Sequence, residues 1–220
     1  MAATASPFGL KPTNMIGGAP YNGGAIRHFH VKANNSAAIF NGDLVVLNST
    51  GLPAAVSSTP LANDLQSTSA NGTPGIVGVM VGAQYIDTKG QLQFDQHLPA
   101  NSITNGFTSV KIMVNDDPRQ LYKIQGNNSL GTFNSGTGGS GFAGAVGKNG
   151  QLDFSTSGST TTGNSGVSLK IDANGSNLAA TETFAVRIID VVEGTEGDNF
   201  PEFIVKFNVG VHSYDNSLGV

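Results

Sequence analysis

Two apolar runs near the carboxyl end constrain the fold more than any other feature, and a segment rich in Gly, Asp, Asn and Pro separates them. Phe184 to Val192 is β-branched and nearly all apolar, with Arg187 and Asp190 as its only charges. Such a run is typical of a strand that is covered on both faces or lies at a sheet centre. In Glu202 to His212 one face collects Phe203, Val205, Phe207, Val209 and Val211. Because residues 194–201, GTEGDNFP, are typical of a turn, we predict an antiparallel hairpin with an exposed acidic loop.

Seven further segments have the alternation or β-branched content of strands: 25–32, 39–47, 52–56, 76–85, 110–114, 120–125 and 167–172. Segments 39–47 and 52–56 predict a hairpin, with a tight turn or bulge at Asn41 to Asp43. Two glycines inside segment 76–85 predict bulges or a close backbone approach. Thirty glycines and 12% charged residues are not typical of a helical protein. The chain is therefore predicted to be all-β, an antiparallel sandwich or barrel of short strands with at most one short helix, at 59–65.

Residues 1–24 show neither a helical nor a strand period and are rich in Gly, Pro and Asn, which predicts an extended N-terminal arm. The arm nevertheless carries more apolar side chains than a disordered tail usually does. We therefore predict that it lies on another surface, either its own domain or a neighbouring subunit. The candidate interface residues are Phe8, Leu10, Met15, Ile16 and Tyr21. Residues 25–220 are predicted to form a single β-rich domain.

Residues 126–166 consist mostly of Gly, Ser, Thr and Asn and are predicted to be a long, mobile surface loop, with brief strand pairing at 142–146 and 152–154. Within it, GTGGSG at 136–141 formally matches the dinucleotide-binding pattern. That pattern needs a hydrophobic strand before it and a helix after it, and neither is predicted here. No dinucleotide site is assigned.

Charge and cysteine content exclude several classes of function. The net charge is −4 and the eleven Lys and Arg residues are scattered, whereas nucleic-acid binding needs clustered positive charge. Without cysteine the chain has no disulfide, zinc-thiolate or iron–sulfur site. No apolar run approaches the ~20 residues that span a bilayer, and the first residues do not resemble a secretory signal. We therefore predict no nucleic-acid or membrane partner and no export.

Three groups of residues have the composition of a chemical site, and each has a structural interpretation. His28 and His30 share a strand face but lack a third metal ligand nearby in sequence. Asp116 and Asp117 precede a proline, which is ordinary turn chemistry. Residues 172–175, DANG, resemble the start of a calcium loop, although the glycine comes two places too early for an EF-hand. No catalytic, cofactor-binding or metal-binding residue is predicted, and we expect a protein without enzymatic activity. A polysaccharide-degrading enzyme with two separate carboxylates stays as an alternative.

Several segments together resemble small virion structural proteins of tailed bacteriophages, especially marine phages, and within that group the head-decoration or cement proteins. They are SPFGLKPTNMIGGAPYNGG at 6–24, AIFNGDLVVL at 38–47, IVGVMVGAQYID at 76–87, VKIMVNDDPRQLYKIQ at 110–125, and the two closing strands from 187 to 214. The resemblance implies a position on the capsid surface after assembly in the host cytoplasm, contacts with the major capsid protein, and self-association as trimers or other small oligomers. It implies no catalytic residue and no cofactor. A receptor- or glycan-binding module of a phage tail or fibre is the alternative.

Overall fold

The computed structural model describes residues 5–18, 20, 26–32, 35–47, 51–56, 75–129, 144–171, 177–180, 184–195, 198–208 and 210–215. These residues form strands, turns and loops with no helix among them, which confirms the predicted all-β class. The strands in chain order are β1 Lys11–Met15, β2 Ile26–His30, β3 Ile39–Phe40, β4 Leu44–Leu47, β5 Pro53–Ala55, β6 Ile76–Ile86, β7 Leu92–Asp95, β8 His97–Leu98, β9 Thr108–Asn115, β10 Gln120–Gln125, β11 Asn149–Gly150, β12 Leu152–Asp153, β13 Ser168–Leu169, β14 Leu178–Ala179, β15 Val186–Val191 and β16 Glu202–Phe207. The helix predicted at 59–65 lies outside the described residues.

Two six-stranded antiparallel sheets form the body of the protein. Sheet A has the order β1-β10-β16-β15-β11-β14. Sheet B has the order β2-β9-β6-β4-β5, and β7 pairs with the second half of β6. Two short pairs, β3–β8 and β12–β13, lie beside them. The chain therefore passes from sheet B to sheet A between β9 and β10, through the turn at residues 116–119.

The main hydrophobic core lies between the two sheets. Side chains of β10 and β16 in sheet A pack in one cluster with side chains of β4 and β6 in sheet B. The fully buried members include Tyr122, Phe203, Leu44 and Val79. A second cluster, which includes Met80 and Ile112, contains the alternate residues of sheet B, so it lies on the other face of that sheet. Sheet B is therefore apolar on both faces, and the arrangement is an antiparallel sandwich with a second, smaller core.

The predicted C-terminal hairpin is confirmed. β15 and β16 pair antiparallel, and the predicted inward face of β16 is buried at Phe203, Val205 and Phe207. β15 lies between β16 and β11 inside sheet A, as expected of a strand at a sheet centre. The alternative expectation, burial on both faces, is wrong because Arg187 and Asp190 are exposed.

Glycines in and before the strands of sheet B occupy positions that a residue with a side chain would not fit. Of the two glycines in the predicted segment 76–85, Gly78 makes a close backbone approach, since a Cβ atom there would lie 2.0 Å from the carbonyl oxygen of Asn115, and Gly82 lies at an irregularity in the pairing with β9. The predicted turn before β4 is also present, with Asp43 N donating to the Phe40 carbonyl at 3.0 Å. Its Gly42 has φ +98°, a left-handed conformation that residues with a side chain rarely adopt.

Residues 11–15 of the predicted arm form β1, which pairs with β10 at the edge of sheet A. These residues are extended, as predicted for the arm, but they form a regular strand, because β10 supplies backbone partners that the sequence of the arm alone does not reveal. Since β10 belongs to the same chain, these residues follow the interpretation in which the arm packs on its own domain.

The segment predicted as a surface loop is described at residues 126–129 and 144–166, and the second part contributes to the core. Ala145 and Leu152 belong to the main cluster, and β11 joins sheet A between β15 and β14. The strand predicted at 152–154 is present as β12, whereas 144–147 form a turn instead of the predicted pairing. Small residues fit here because the structure brings backbones close together: a Cβ at Gly166 would lie 2.1 Å from the Thr156 carbonyl oxygen. Residues 130–143, including the GTGGSG match, lie outside the described part.

Candidate functional site

The five predicted interface residues occupy different environments. Leu10 is completely buried in the main core, so it has no surface to offer a partner. Phe8 and Met15 are partly buried, and the Lys123 ammonium lies 5.2 Å from the centre of the Phe8 ring. Ile16 is 46% exposed. Tyr21 lies outside the described residues. Of the described four, Ile16 is the most exposed, with nearly half of its surface in solvent.

A more exposed apolar surface lies on β7, which we call the β7 surface and define as Leu92 and Phe94. These side chains are 53% and 64% exposed and, two residues apart, share one face of the strand. The pairing recorded for β7 is with β6, which leaves β7 at an edge of sheet B in the described structure. Edge strands offer backbone groups as well as side chains to a partner. The alternation of apolar and polar residues in LQFD, residues 92–95, is the sequence signal that points to this surface.

Side-chain contacts of Tyr85 on β6 fix the position of β7, the strand that carries the β7 surface. The Tyr85 hydroxyl on β6 donates a hydrogen bond to the Asp95 carboxylate on β7. Burial, this hydrogen bond and the carboxylate charge raise the pKa of Tyr85, so the hydroxyl stays a donor at neutral pH. The Tyr85 ring stacks on Phe107 with centroids 4.6 Å apart. Leu92 and Phe94 are therefore presented by a fixed backbone, which lowers the entropy cost of binding.

The turn at residues 116–119 contains the adjacent carboxylates Asp116 and Asp117 and lies next to the exposed Tyr214. Asp117 accepts the Arg119 amide at 2.7 Å, as predicted for a turn aspartate. Asp116 has a different role, because it pairs with Arg27 Nε at 2.9 Å and accepts the Tyr214 hydroxyl at 2.9 Å. Tyr214 is 46% exposed, and the Arg27 guanidinium lies 5.5 Å from its ring centre. The two adjacent carboxylates therefore serve structure, joining β2, the turn and the carboxyl-terminal residues.

The four histidines lie in three separate places. His28 and His30 are exposed on β2, and His97 on β8 stacks on Phe40. His212 is fully buried, and its Nδ1 accepts the Tyr214 amide at 3.2 Å. Burial lowers the pKa of His212, so the ring is neutral at physiological pH. Among the described residues no three His, Cys, Asp or Glu side chains are close enough together to hold a metal ion.

One pocket of about 460 Å³ lies beside β3 and β5. Its walls combine two aromatic side chains, Phe40 and Phe154, with polar groups of Asn35, Asp43 and Ser157. Aromatic faces with convergent amide and hydroxyl groups are typical of sites for small polar ligands. Asp43 is held by the Phe40 amide and the Ser165 hydroxyl, and burial raises its pKa.

Comparison of the chain with protein-family models, with curated proteins and with solved structures found no significant match. The described residues also contain no apolar helix long enough to cross a membrane. Function is therefore inferred from the geometry of this chain and from its sequence resemblance to phage virion proteins.

Proposed function

We propose that this chain is a structural virion protein, a capsid decoration (cement) protein that binds the outer surface of a phage head and stabilises contacts between major capsid protein subunits. The observation that carries the proposal is the β7 surface, where Leu92 and Phe94 are more than half exposed on a fixed edge strand. Apolar side chains of this size, exposed side by side, are typical of protein–protein contacts. The resemblance to phage decoration proteins supports the choice of partner.

The energetics suit a protein that acts in many copies. Complete burial of a Leu or Phe side chain contributes about 1.5–3 kcal/mol, and roughly half of that area is already covered here. Because association costs several kcal/mol, the β7 surface alone supports weak attachment of one copy. Attachment at two points or as an oligomer raises the effective concentration and converts weak contacts into stable binding.

A second contact point is available at the other end of sheet B. Ile16 and Tyr214 are both 46% exposed and both lie next to the turn at 116–119, since Ile16 N bonds to the Arg119 carbonyl at 3.0 Å. β6 runs between the two regions, and its eleven residues span about 33 Å. Such separation suits a protein that touches the capsid with one group and a neighbouring copy, in a trimer or other small oligomer, with the other.

The test is co-sedimentation of the purified chain with phage heads that lack it. We expect the wild-type chain to sediment with the heads and the double variant Leu92→Ser, Phe94→Ser to bind at least about tenfold more weakly. The matched control is Val146→Ser. Val146 is an apolar residue that is 40% exposed, and it lies three residues before β11 of sheet A, away from the β7 surface. Failure of the wild-type chain to bind heads, or equal binding by both variants, would contradict the proposal.

The pocket favours a second candidate, a receptor- or glycan-binding module of a tail or fibre. Stacking of a sugar ring on Phe40 or Phe154, with hydrogen bonds from Asn35 and Ser157, is the binding mode that the lining residues support. Titration with a panel of oligosaccharides, using the wild type and Phe154→Ser, tests this function. Saturable binding that the substitution abolishes, together with localisation to the tail by electron microscopy, would favour it over the capsid role.

A further inference from the structure

Lys11 at the start of β1 has unusual neighbours for a lysine. Its Nζ donates to Asn41 Oδ1 at 2.7 Å, to Asn164 Oδ1 at 2.8 Å and to the Asn41 carbonyl at 3.3 Å. The ion pairs within 4 Å among the described residues are Arg27–Asp116 and Lys123–Glu202, so Lys11 is held by neutral amide oxygens. Burial lowers the pKa of Lys11 to about 8. At pH 7 about a tenth of the molecules therefore carry a neutral, nucleophilic amine at this position.

The amide of Asn41 is fixed in front of that amine. Asn41 Nδ2 donates to the Val81 carbonyl at 3.1 Å, which turns Oδ1 towards Lys11. The Asn41 backbone is also held, because its amide lies 2.9 Å from the Gln96 carbonyl and its own carbonyl accepts the Ser165 amide at 2.9 Å. Asn41 Cγ, the carbonyl carbon, is therefore one bond away from the oxygen that accepts the hydrogen bond of Lys11 Nζ. Because the fold already holds the two reacting groups in contact, the reaction requires little further loss of entropy to bring them together.

Asp43 supplies the third group that amide exchange needs. Its carboxyl group faces Lys11 closely enough to interact with its charge, and burial raises the pKa of the carboxyl. Burial favours the protonated form of this carboxyl group, and a protonated carboxyl group can donate its proton to a leaving group, as a general acid does. The close backbone contact between Gly9 and Gly42 fixes the spacing of Lys11 and Asp43, since a Cβ at Gly42 would lie 2.8 Å from the Phe8 carbonyl oxygen.

We propose that Lys11 and Asn41 form an intramolecular isopeptide bond that fastens β1 to the turn before β4. The Lys11 Nζ lone pair attacks Asn41 Cγ, a Cγ–Nζ bond forms, and the Cγ–Nδ2 bond breaks. Asp43 carries a proton from the attacking amine to the leaving nitrogen, which departs as ammonia. No oxidant or other reactant is consumed, and the mass of the chain falls by about 17 Da. Asn164 provides a hydrogen bond that holds the amine and does not react.

The bond goes beyond the proposed capsid role and does not depend on it. A covalent link between residues 11 and 41 would keep the first strand of sheet A attached to the start of sheet B under force or denaturant. Such a link is useful to a protein that must resist outward pressure, but it would form equally in the isolated chain. Its test therefore needs no particle.

Intact-mass and peptide mass spectrometry of the purified full chain test the bond. We expect the denatured wild type to be about 17 Da lighter than its sequence mass after incubation at pH 8. Trypsin should yield one cross-linked species that joins residues 1–27 to residues 33–89, the peptides that contain Lys11 and Asn41. Lys11→Arg and Asn41→Ala should have their full sequence masses, and Asn164→Ala should still lose ammonia.

Asp43→Asn separates the proposed chemistry from simple proximity. We expect this variant to fold, as judged by circular dichroism, and to form the bond about 100-fold more slowly than the wild type. Unchanged mass of the folded wild type after prolonged incubation at pH 8 would overturn the proposal. A cross-link between residues 1–27 and 149–170 would overturn Asn41 as the acceptor, because that peptide contains Asn164.

Discussion

The two ends of β6 show how differently one strand can be covered. At the first end, Ile76–Met80, all five residues are buried, and residues of β4, β9 and the carboxyl-terminal segment surround the strand. Ile76 alone exchanges two backbone hydrogen bonds with residues 211 and 213. At the second end, Gln84–Ile86, burial alternates and β7 is the partner on one side, with Leu92 and Phe94 exposed. The first we call the closed end and the second the open end.

The difference between the two ends shows where apolar side chains are buried within this chain and where they are left exposed to solvent. Leu10 reaches the closed end through two hydrogen bonds in series, from its amide to the Gly42 carbonyl and from the Gly42 amide to the Met80 carbonyl. Among the described apolar residues of the arm, Leu10 is buried within this chain and Phe8 and Met15 are partly buried. The open end keeps its apolar side chains in solvent, where another protein can bury them. Four substitutions measure how sharp this contrast is.

The largest effect is expected at Leu10, which serves the closed end. Leu10→Ala removes a completely buried side chain, and we expect the free energy of unfolding to fall by about 2–5 kcal/mol. Urea denaturation measures it. The control is Ile16→Ala, directly after β1, where truncation of a side chain that is 46% exposed should cost no more than about 0.5 kcal/mol. Equal effects at the two positions would show that the arm is not part of the core.

Gly42 should give the next largest effect. Gly42→Ala places a methyl group 2.8 Å from the Phe8 carbonyl oxygen at a φ of +98°, and we expect about 2–3 kcal/mol of destabilisation from strain and displacement of the arm. Gly17→Ala is a matched control, because Gly17 has φ +97° but no atom within 4 Å of the added methyl. It should lose only about 1 kcal/mol, from backbone strain. Thermal unfolding of both variants gives the comparison.

A smaller, pH-dependent effect is expected from His212 at the closed end. Because burial lowers the pKa of His212, the unfolded chain binds a proton more readily than the folded chain. The stability that neutral His212 contributes is complete above pH ~6.5 and is lost as the pH falls towards the lowered pKa. Asp43 acts in the opposite sense, since burial raises its pKa and protonation then favours the folded state.

The difference between the wild type and His212→Gln isolates the histidine from Asp43. We expect the stability advantage of the wild type over this variant to shrink between pH 7 and pH 5, measured by urea denaturation at each pH. The opposite trend would mean that charged His212 is stabilised by Asp116, Asp117 and Asp215, which face it.

The smallest effect on stability is expected at the open end. Phe94→Ser removes an aromatic side chain that is 64% exposed, so the free energy of unfolding should change by no more than about 0.5 kcal/mol. Tyr85→Phe should cost about 1 kcal/mol by comparison, because it removes the hydrogen bond that holds β7 at Asp95. A large loss of stability in Phe94→Ser would mean that β7 is needed for folding and would remove the contrast between the two ends.

Local pattern was sufficient to predict the all-β class and most of the longer strands, but not β1, whose backbone partners lie in β10. The alternation in β16 gave its buried face, and glycines in a β-branched run indicated the close approach at Gly78. Pairing over long separations could not be predicted, because the turn at 116–119 has the same sequence character whether its strands pair or pass between sheets. For the same reason Leu10 resembled a surface anchor, and nothing near Lys11 in sequence indicated Asn164, 153 residues away.

The central claim is that the open end completes its packing on another protein. A cryo-electron microscopy reconstruction of phage heads mixed with the purified chain tests it most directly. We predict density for the chain on the outer face of the head, with Leu92 and Phe94 buried against a neighbouring subunit. Heads without the chain, or a bound chain whose β7 surface faces solvent, would contradict the account.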